Sequence, residues 1–437
     1  MAIQKSINSS IILSIAIVLG SCNALQTFTS MNPSPREKYV NALTKTGLLS
    51  SSLAQTWMNA GDVALHDSII VTLPFRETGY FASSEPSARF YRFDVKDGQV
   101  LTLTSAIKAK EKSKLFIDVF LLKENKWETV AYSDSLSLTY ELPKSGSCIV
   151  RLQPELLVNI YYSITLSVTP VLMNPVKGAS NKSIGSFYGD PRDGGKRKHE
   201  GIDIFAPKGT FVIAPTDGVV TRVSSSVLGG KTVWMNDTKR GHSYYFAHLD
   251  SQIAIAGRKV KQGDVLGTVG NTGNAITTPS HLHFGVFQNK SINPIAYIRT
   301  MEKLVNELAP DTSFQSIVFR TKQKITSIHS GPSTKLAVRE SLSKDYYVRV
   351  IGQSGDWYRV STANNREGFI EKSKVITAEK GNKFVIRNPA SLLTEADSQA
   401  VPIGTVTGTA EGLASYKQFR YIKTSDGLNG WIDITLL

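Results

Sequence analysis

Five side chains in three short clusters have the types and spacing to do chemistry. They are His199 and Asp203 in HEGID, His248 in YYFAHL, and His281 with His283 in SHLHFGV. Four of the chain's seven histidines are among them. HLHFGV is aromatic and β-branched in character, and on a strand residues i and i+2 share one face. His281, His283 and Gly285 then point one way, and Leu282, Phe284 and Val286 the other. Gly201 with the β-branched Ile202 and Ile204 argues against a helix through HEGIDIF, so His199 and Asp203 are expected on one face of a second strand. Two adjacent strands presenting these groups to a common cleft make a metal site with ligands to spare. Two imidazoles and one carboxylate suit zinc, and three protein ligands leave a fourth position for water, the catalytic rather than the structural arrangement. Zinc in such a site lowers the pKa of its water to about 7 and polarises a carbonyl. With five candidates for three positions, two histidines remain for proton transfer and oxyanion stabilisation. A single histidine is more often an ordinary polar residue at a strand end, but no packing requirement asks for all five.

Around these clusters, HEGIDIFAPKGT, VIAPTDGVV, YYFAHL, VKQGDVLGTVGNTGN, TTPSHLHFGV and NP follow one another between about Ile184 and Ile298. In this the chain resembles the lysostaphin-type (LytM-like) zinc endopeptidases that cut peptidoglycan cross-links. The resemblance implies an all-β core with an open antiparallel sheet flooring a groove, and zinc as cofactor. It implies His199, Asp203 and His283 as ligands, His281 as the catalytic histidine beside the metal, and His248 as the second catalytic histidine. Phe246 stands where family members often carry tyrosine, but not at a metal or proton-transfer position. Relatives that activate wall hydrolases have lost the ligands. This chain keeps every one, which implies an active peptidoglycan endopeptidase. A peptidase on other exported peptides and a non-catalytic wall-binding or activator protein are the competing readings. Gly209, Gly218, Gly263, Gly267, Gly270 and Gly273 punctuate short apolar runs and read as turn residues. No strand–GxGxxG–helix context or Walker lysine makes any of them a phosphate loop.

The elements that must position this cluster lie on both sides of it. The N-terminus carries Lys5, a short apolar run Ile11–Leu19 and LGSC ending at Cys22. The run is too short to span a bilayer and fits a secretory signal. LGSC resembles a bacterial lipobox, implying cleavage before Cys22 and its acylation, and hence an exported protein anchored to a bacterial membrane by several acyl chains. Cys148 in SCIVRL then has no partner and reads as a buried thiol. Fifty basic residues against 36 acidic give a net charge of +14, spread over the length without the aromatic platforms of a nucleic-acid binder. Anionic wall polymers and phospholipid head groups suit such a charge better.

The chain is expected to be mainly β and multidomain: a β-sandwich, an antiparallel-sheet zinc peptidase core, two small SH3-like barrels and a short N-terminal helical segment. A signal peptide over 1–21 precedes a tether with short helices over 22–66, where Ser34-Pro35-Arg36-Glu37 reads as a capping box and Gly47 and Gly61 as helix ends. Alternating runs from RFYRFDV to YYSITLSV give a sandwich over 67–171. The metallopeptidase domain follows over 177–300, then a linker helix over 301–316. SGDWYRVSTANNREGFI near Trp357 is echoed by FRYIKTSDGLNGWI near Trp431. Both copies resemble bacterial SH3-like modules, over 317–376 and 377–437, which in wall hydrolases often bind peptidoglycan. The region from Asn23 to about Val171 is the candidate for restricting access to the groove.

Overall fold

The computed structural model describes residues 32–436 apart from 64, 67, 302–308 and 313–317. The signal peptide and Cys22 lie outside the described residues, as does most of the expected linker helix. The short helix Ile295–Ile298 ends just before that span.

The N-terminal helix Pro35–Lys45 starts where the capping box places it. Ser34 Oγ accepts from the Glu37 amide at 3.1 Å, and Glu37 Oε2 accepts from the Ser34 amide at 2.6 Å. Gly47, at φ +72°, ends it as expected. Gly61 does not end the second helix; it lies inside Ser52–Val63. A Cβ there would stand 2.4 Å from Arg36 Nη2 and 2.6 Å from Gln153 Oε1, so this glycine permits a close approach rather than a turn. The two helices are clamped to the sandwich behind them. Trp57 Nε1 donates to Pro154 O at 2.8 Å, and Arg151 donates to both Asp118 (2.8 Å) and Gly61 O (2.9 Å). This cover explains why the strand Leu115–Lys123 is buried on both faces from Leu115 to Leu121 instead of alternating.

The sandwich has two sheets. One carries Arg89–Val95, Gly146–Pro154, Leu115–Lys123 and Lys126–Ser133. The other runs through Ser137–Glu141, Gln99–Ala109, Ile160–Pro170 and Phe75–Phe81, and it does not stop there. Phe75–Phe81 pairs with Tyr347–Ser354 of the first C-terminal barrel, with Thr78 opposite Gln353 and Gly79 opposite Gly352. Sandwich and barrel therefore share one sheet, although more than two hundred residues separate the paired strands. From sequence they are separate domains, over 67–171 and 317–376. The seam is charged and buried. Glu77, fully buried, accepts from Tyr91 (2.7 Å), Tyr162 (2.6 Å) and Arg359 (3.3 Å), and Arg359 also holds Glu367, which receives Arg89 at 3.0 Å. Removing one partner of a buried pair leaves the other charge uncompensated, at a cost of about 3–5 kcal/mol. Glu77→Ala is expected to destabilise sandwich and first barrel together by about that amount in chemical denaturation. A loss confined to the barrel would mean that the two fold separately.

The second barrel is a closed set of four strands, Asn382–Leu393, Pro402–Tyr416, Phe419–Thr424 and Asn429–Asp433. Of the aromatic residues common to the two copies, Phe369 and Trp431 are core. Trp357 packs against the sandwich core. Cys148 is a buried free thiol, and burial pushes it up to about 12.

The region that carries the histidine clusters is a ten-stranded sheet with its own core. It docks on the sandwich through the hairpin at Asp237–His242, where Glu141 accepts from Lys239 and Arg240. His248 lies six residues further along the strand His242–Gln252, roughly 20 Å from that contact. This docking contact is thus at the opposite end of the strand from the histidine cluster.

Candidate metal centre

Three neighbouring strands build the site. Ile202–Phe205 pairs antiparallel with His281–Gln288, placing Asp203 opposite His283 and Phe205 opposite His281. His281–Gln288 pairs on its other side with His242–Gln252, placing Ala247 opposite His283. Leu282, Phe284 and Val286 are fully buried in the core, so His281 and His283 share the other face, as the alternation requires. His199 differs from the expectation. It precedes the strand, in a bend that ends at Gly201, and it meets Asp203 because the chain folds over rather than because the two share a strand face. Its amide donates to Asp190 O and its carbonyl accepts from Gly189, both at 2.8 Å. At Gly201 a Cβ would stand 2.5 Å from Phe284 O and 2.8 Å from the His283 ring, so only glycine admits this bend.

All five sequence-derived residues come together. His199 Nε2 lies 2.9 Å from His283 Nδ1, and Asp203 Oδ1 lies 3.1 Å from each. Ligand atoms about 2.0–2.1 Å from a tetrahedral zinc stand about 3.3 Å apart, so this donor triangle fits the ion in type and size. Outer partners fix two of the three donors. His199 Nδ1 donates to Phe187 O at 2.9 Å, which leaves Nε2 as the lone-pair atom. Asp203 Oδ2 accepts from Arg192 Nη2 at 2.9 Å, freeing Oδ1 for the cluster. Burial would raise the Asp203 carboxyl, but the His199 and His283 imidazoles against it outweigh this and hold the group well below the usual carboxylate range. Sequence reasoning missed Arg192. It lies on a surface hairpin with no periodic relation to the ligands, and only the folded loop shows its role.

The other two histidines stand beside the triangle. His281 Nδ1 donates to Pro279 O at 2.8 Å, and its Nε2 is 3.9 Å from Asp203 Oδ1. His248 Nδ1 donates to Thr272 O at 2.9 Å, and its ring centroid is 5.0 Å from that of His281. In both, the carbonyl fixes the tautomer and leaves Nε2 available. His248 adopts φ +61°, a left-handed conformation that strains a non-glycine residue and is common at functional sites. Burial pushes its imidazole down to about 4, with His281 and His283 adding to the effect, so it is neutral at pH 7. Of the glycines read as turns, Gly209, Gly263 and Gly273 have positive φ as expected. Gly218, Gly267 and Gly270 instead sit where a Cβ would meet a neighbouring strand's backbone at 2.4 Å.

Residues 197–294 match peptidase family M23, and residues 326–376 match the bacterial SH3 domain. Among curated relatives, the L-Ala--D-Glu endopeptidase of Bacillus subtilis is 33% identical over 142 residues, covering 30% of this chain and 43% of that protein. The murein hydrolase activator NlpD of Escherichia coli is 31% identical over 101 residues, covering 23% of this chain and 26% of that protein. The chain thus spans less than half the length of these relatives. Among solved structures, the catalytic domain of lysostaphin from Staphylococcus simulans is 30% identical, with a TM-score of 0.24, covering 25% of this chain and 87% of that domain.

Proposed function

From a chain that carries a peptidase family M23 domain and a bacterial SH3 domain, we infer a zinc-dependent endopeptidase that hydrolyses peptide cross-links of peptidoglycan. The observation that carries this reading is the convergence of His199 Nε2, Asp203 Oδ1 and His283 Nδ1 within 3.1 Å, beside two further histidines whose Nε2 atoms are free. Zinc held by these three residues would supply Lewis acidity toward a scissile carbonyl and a water acidified to a pKa of about 7. Arg192 orients Asp203 through its bond to Oδ2. The Nε2 atoms of His248 and His281 are the groups that accept a proton from the attacking water, return it to the leaving amine and hydrogen-bond the developing oxyanion. A neutral His248 suits a proton acceptor. An activator role, suggested by the name of the Escherichia coli relative, is disfavoured by the complete donor set.

The test is digestion of purified sacculi by the zinc-loaded protein, with mass analysis of the released fragments. Products shortened at a cross-linking peptide bond support the reading. Intact cross-links beside cleavage of unrelated exported peptides would replace it with a general peptidase.

The same reading places the protein outside the cytoplasm, anchored through acylated Cys22. Cys22→Ser is expected to turn a detergent-extracted protein into a soluble exported one and to abolish incorporation of labelled fatty acid. Firm membrane association of the variant would place the anchor elsewhere.

A further inference from the structure

The sheet face that carries the histidines continues past the donor triangle as a row of side chains, one from each of four strands. Arg222 on Gly218–Ser226 lies opposite Trp234 on Gly230–Asp237, Trp234 lies opposite Tyr245, and Tyr245 opposite Gly285. Gly285 is two residues from His283 and shares its face. The other face is core, with Val233, Met235, Tyr244 and Phe246 fully buried. On the histidine face, Trp234, Tyr245 and Phe287 are only half-buried and form one aromatic patch. The Trp234 ring centroid is 4.5 Å from that of Tyr245 and 5.2 Å from that of Phe287. Gly285 makes room for the patch, since a Cβ there would stand 2.8 Å from the Phe287 ring. The patch reaches the metal centre, where Tyr245 meets the His283 ring edge to face at 5.8 Å.

Arg222 caps the far end of this row. It is exposed, and its Cζ sits 5.2 Å from the Trp234 ring centroid, a cation–π contact. It has no carboxylate partner among the described residues, whereas Arg192, Arg197 and Arg240 are each held by an aspartate or glutamate. Ser224, Asn236 and Ser243, which flank the row on the same face, carry no charge, so the guanidinium sets the sign of the potential there. A guanidinium already stationed on a ring loses little freedom on binding, and its planar fork matches a carboxylate. Three strand spacings separate Arg222 from the strand of His283, roughly 14 Å, which about four residues of extended peptide span.

We propose that Arg222, supported by Trp234, is a specificity determinant that binds a free carboxylate of the substrate peptide away from the bond cut. The inference rests on the endopeptidase reading and adds a charge requirement to it: the acidic form of a cross-link peptide is preferred over its amidated form. Two synthetic cross-linked peptides of one sequence test it, one with its non-scissile carboxylates free and one with them amidated. With the zinc-loaded full chain, kcat/KM is expected to favour the free acid by about tenfold or more, mainly through KM, the size of one charge-assisted hydrogen bond. Arg222→Gln is expected to remove that preference and Arg222→Glu to invert it, both with wild-type zinc content and unfolding, because the side chain is exposed. Arg222→Lys, which keeps the charge without the fork, is expected to retain part of it. Equal cleavage of both peptides by wild type, or a preference that survives Arg222→Gln, overturns the proposal and leaves the endopeptidase reading standing. Calorimetric titration with the same peptides separates the converse. Tighter binding of the free acid that Arg222→Gln abolishes, without cleavage of either peptide, would sink the endopeptidase reading and support the carboxylate site. Neither cleavage nor discriminating binding overturns both.

Discussion

His283→Ala is expected to strip the metal and abolish hydrolysis. The ring is the hinge of the donor triangle, 2.9 Å from His199 Nε2 and 3.1 Å from Asp203 Oδ1. Its backbone is fixed on both sides, paired with Asp203 on one neighbouring strand and Ala247 on the other. With the ring gone, two donors remain where a stable zinc site has three or four. The strand keeps its ladder, and Leu282 and Phe284 remain in the core, so the variant is expected to fold. Metal content by atomic emission and hydrolysis of cross-linked fragments check this. Full retention of zinc and activity would remove His283 from the ligand set.

His281→Ala and His248→Ala are expected to behave differently, losing on the order of 10²–10⁴-fold in rate while keeping the zinc, because proton-transfer groups contribute in that range. Neither Nε2 is part of the donor triangle. At His248 the backbone adds a complication, since φ +61° strains alanine as well as histidine. Asparagine tolerates that conformation better, so His248→Asn separates a lost imidazole from a disturbed loop. Equal losses in His248→Asn and His248→Ala, with zinc intact, assign the effect to the ring. Loss of zinc in either the His248 or the His281 variants would mean that the roles have been exchanged with a ligand.

The site was legible in the sequence because strand alternation is a short-range rule. His281 and His283 two residues apart, with Leu282 and Phe284 between and beyond, fix which face carries the imidazoles. The rule failed at His199, where Gly201 bends the chain; that glycine answers to the His283 ring, a contact 82 positions away in the sequence. Arg192 was invisible for the same reason. The mainly β class, the capping box at Ser34 and the buried Cys148 followed from local pattern. Gly61 misled because glycine near the end of an apolar run reads as a stop, and only the docked Arg36 and Gln153 explain it inside a helix. The shared sheet left no signal either. Phe75–Phe81 and Tyr347–Ser354 each look like an ordinary strand, and their pairing is a property of two folded edges meeting. Glu77 and Arg359 carried no sign of their burial together.

The central claim is that His199, Asp203 and His283 form a three-ligand zinc site with its open position beside His248 and His281. Anomalous scattering at the zinc edge, from crystals grown with one equivalent of zinc, tests it most directly. The account expects one peak about 2.0–2.2 Å from His199 Nε2, Asp203 Oδ1 and His283 Nδ1, with both remaining histidines outside bonding distance. A peak bonded to His248 or His281, or no peak within the triangle, would contradict it.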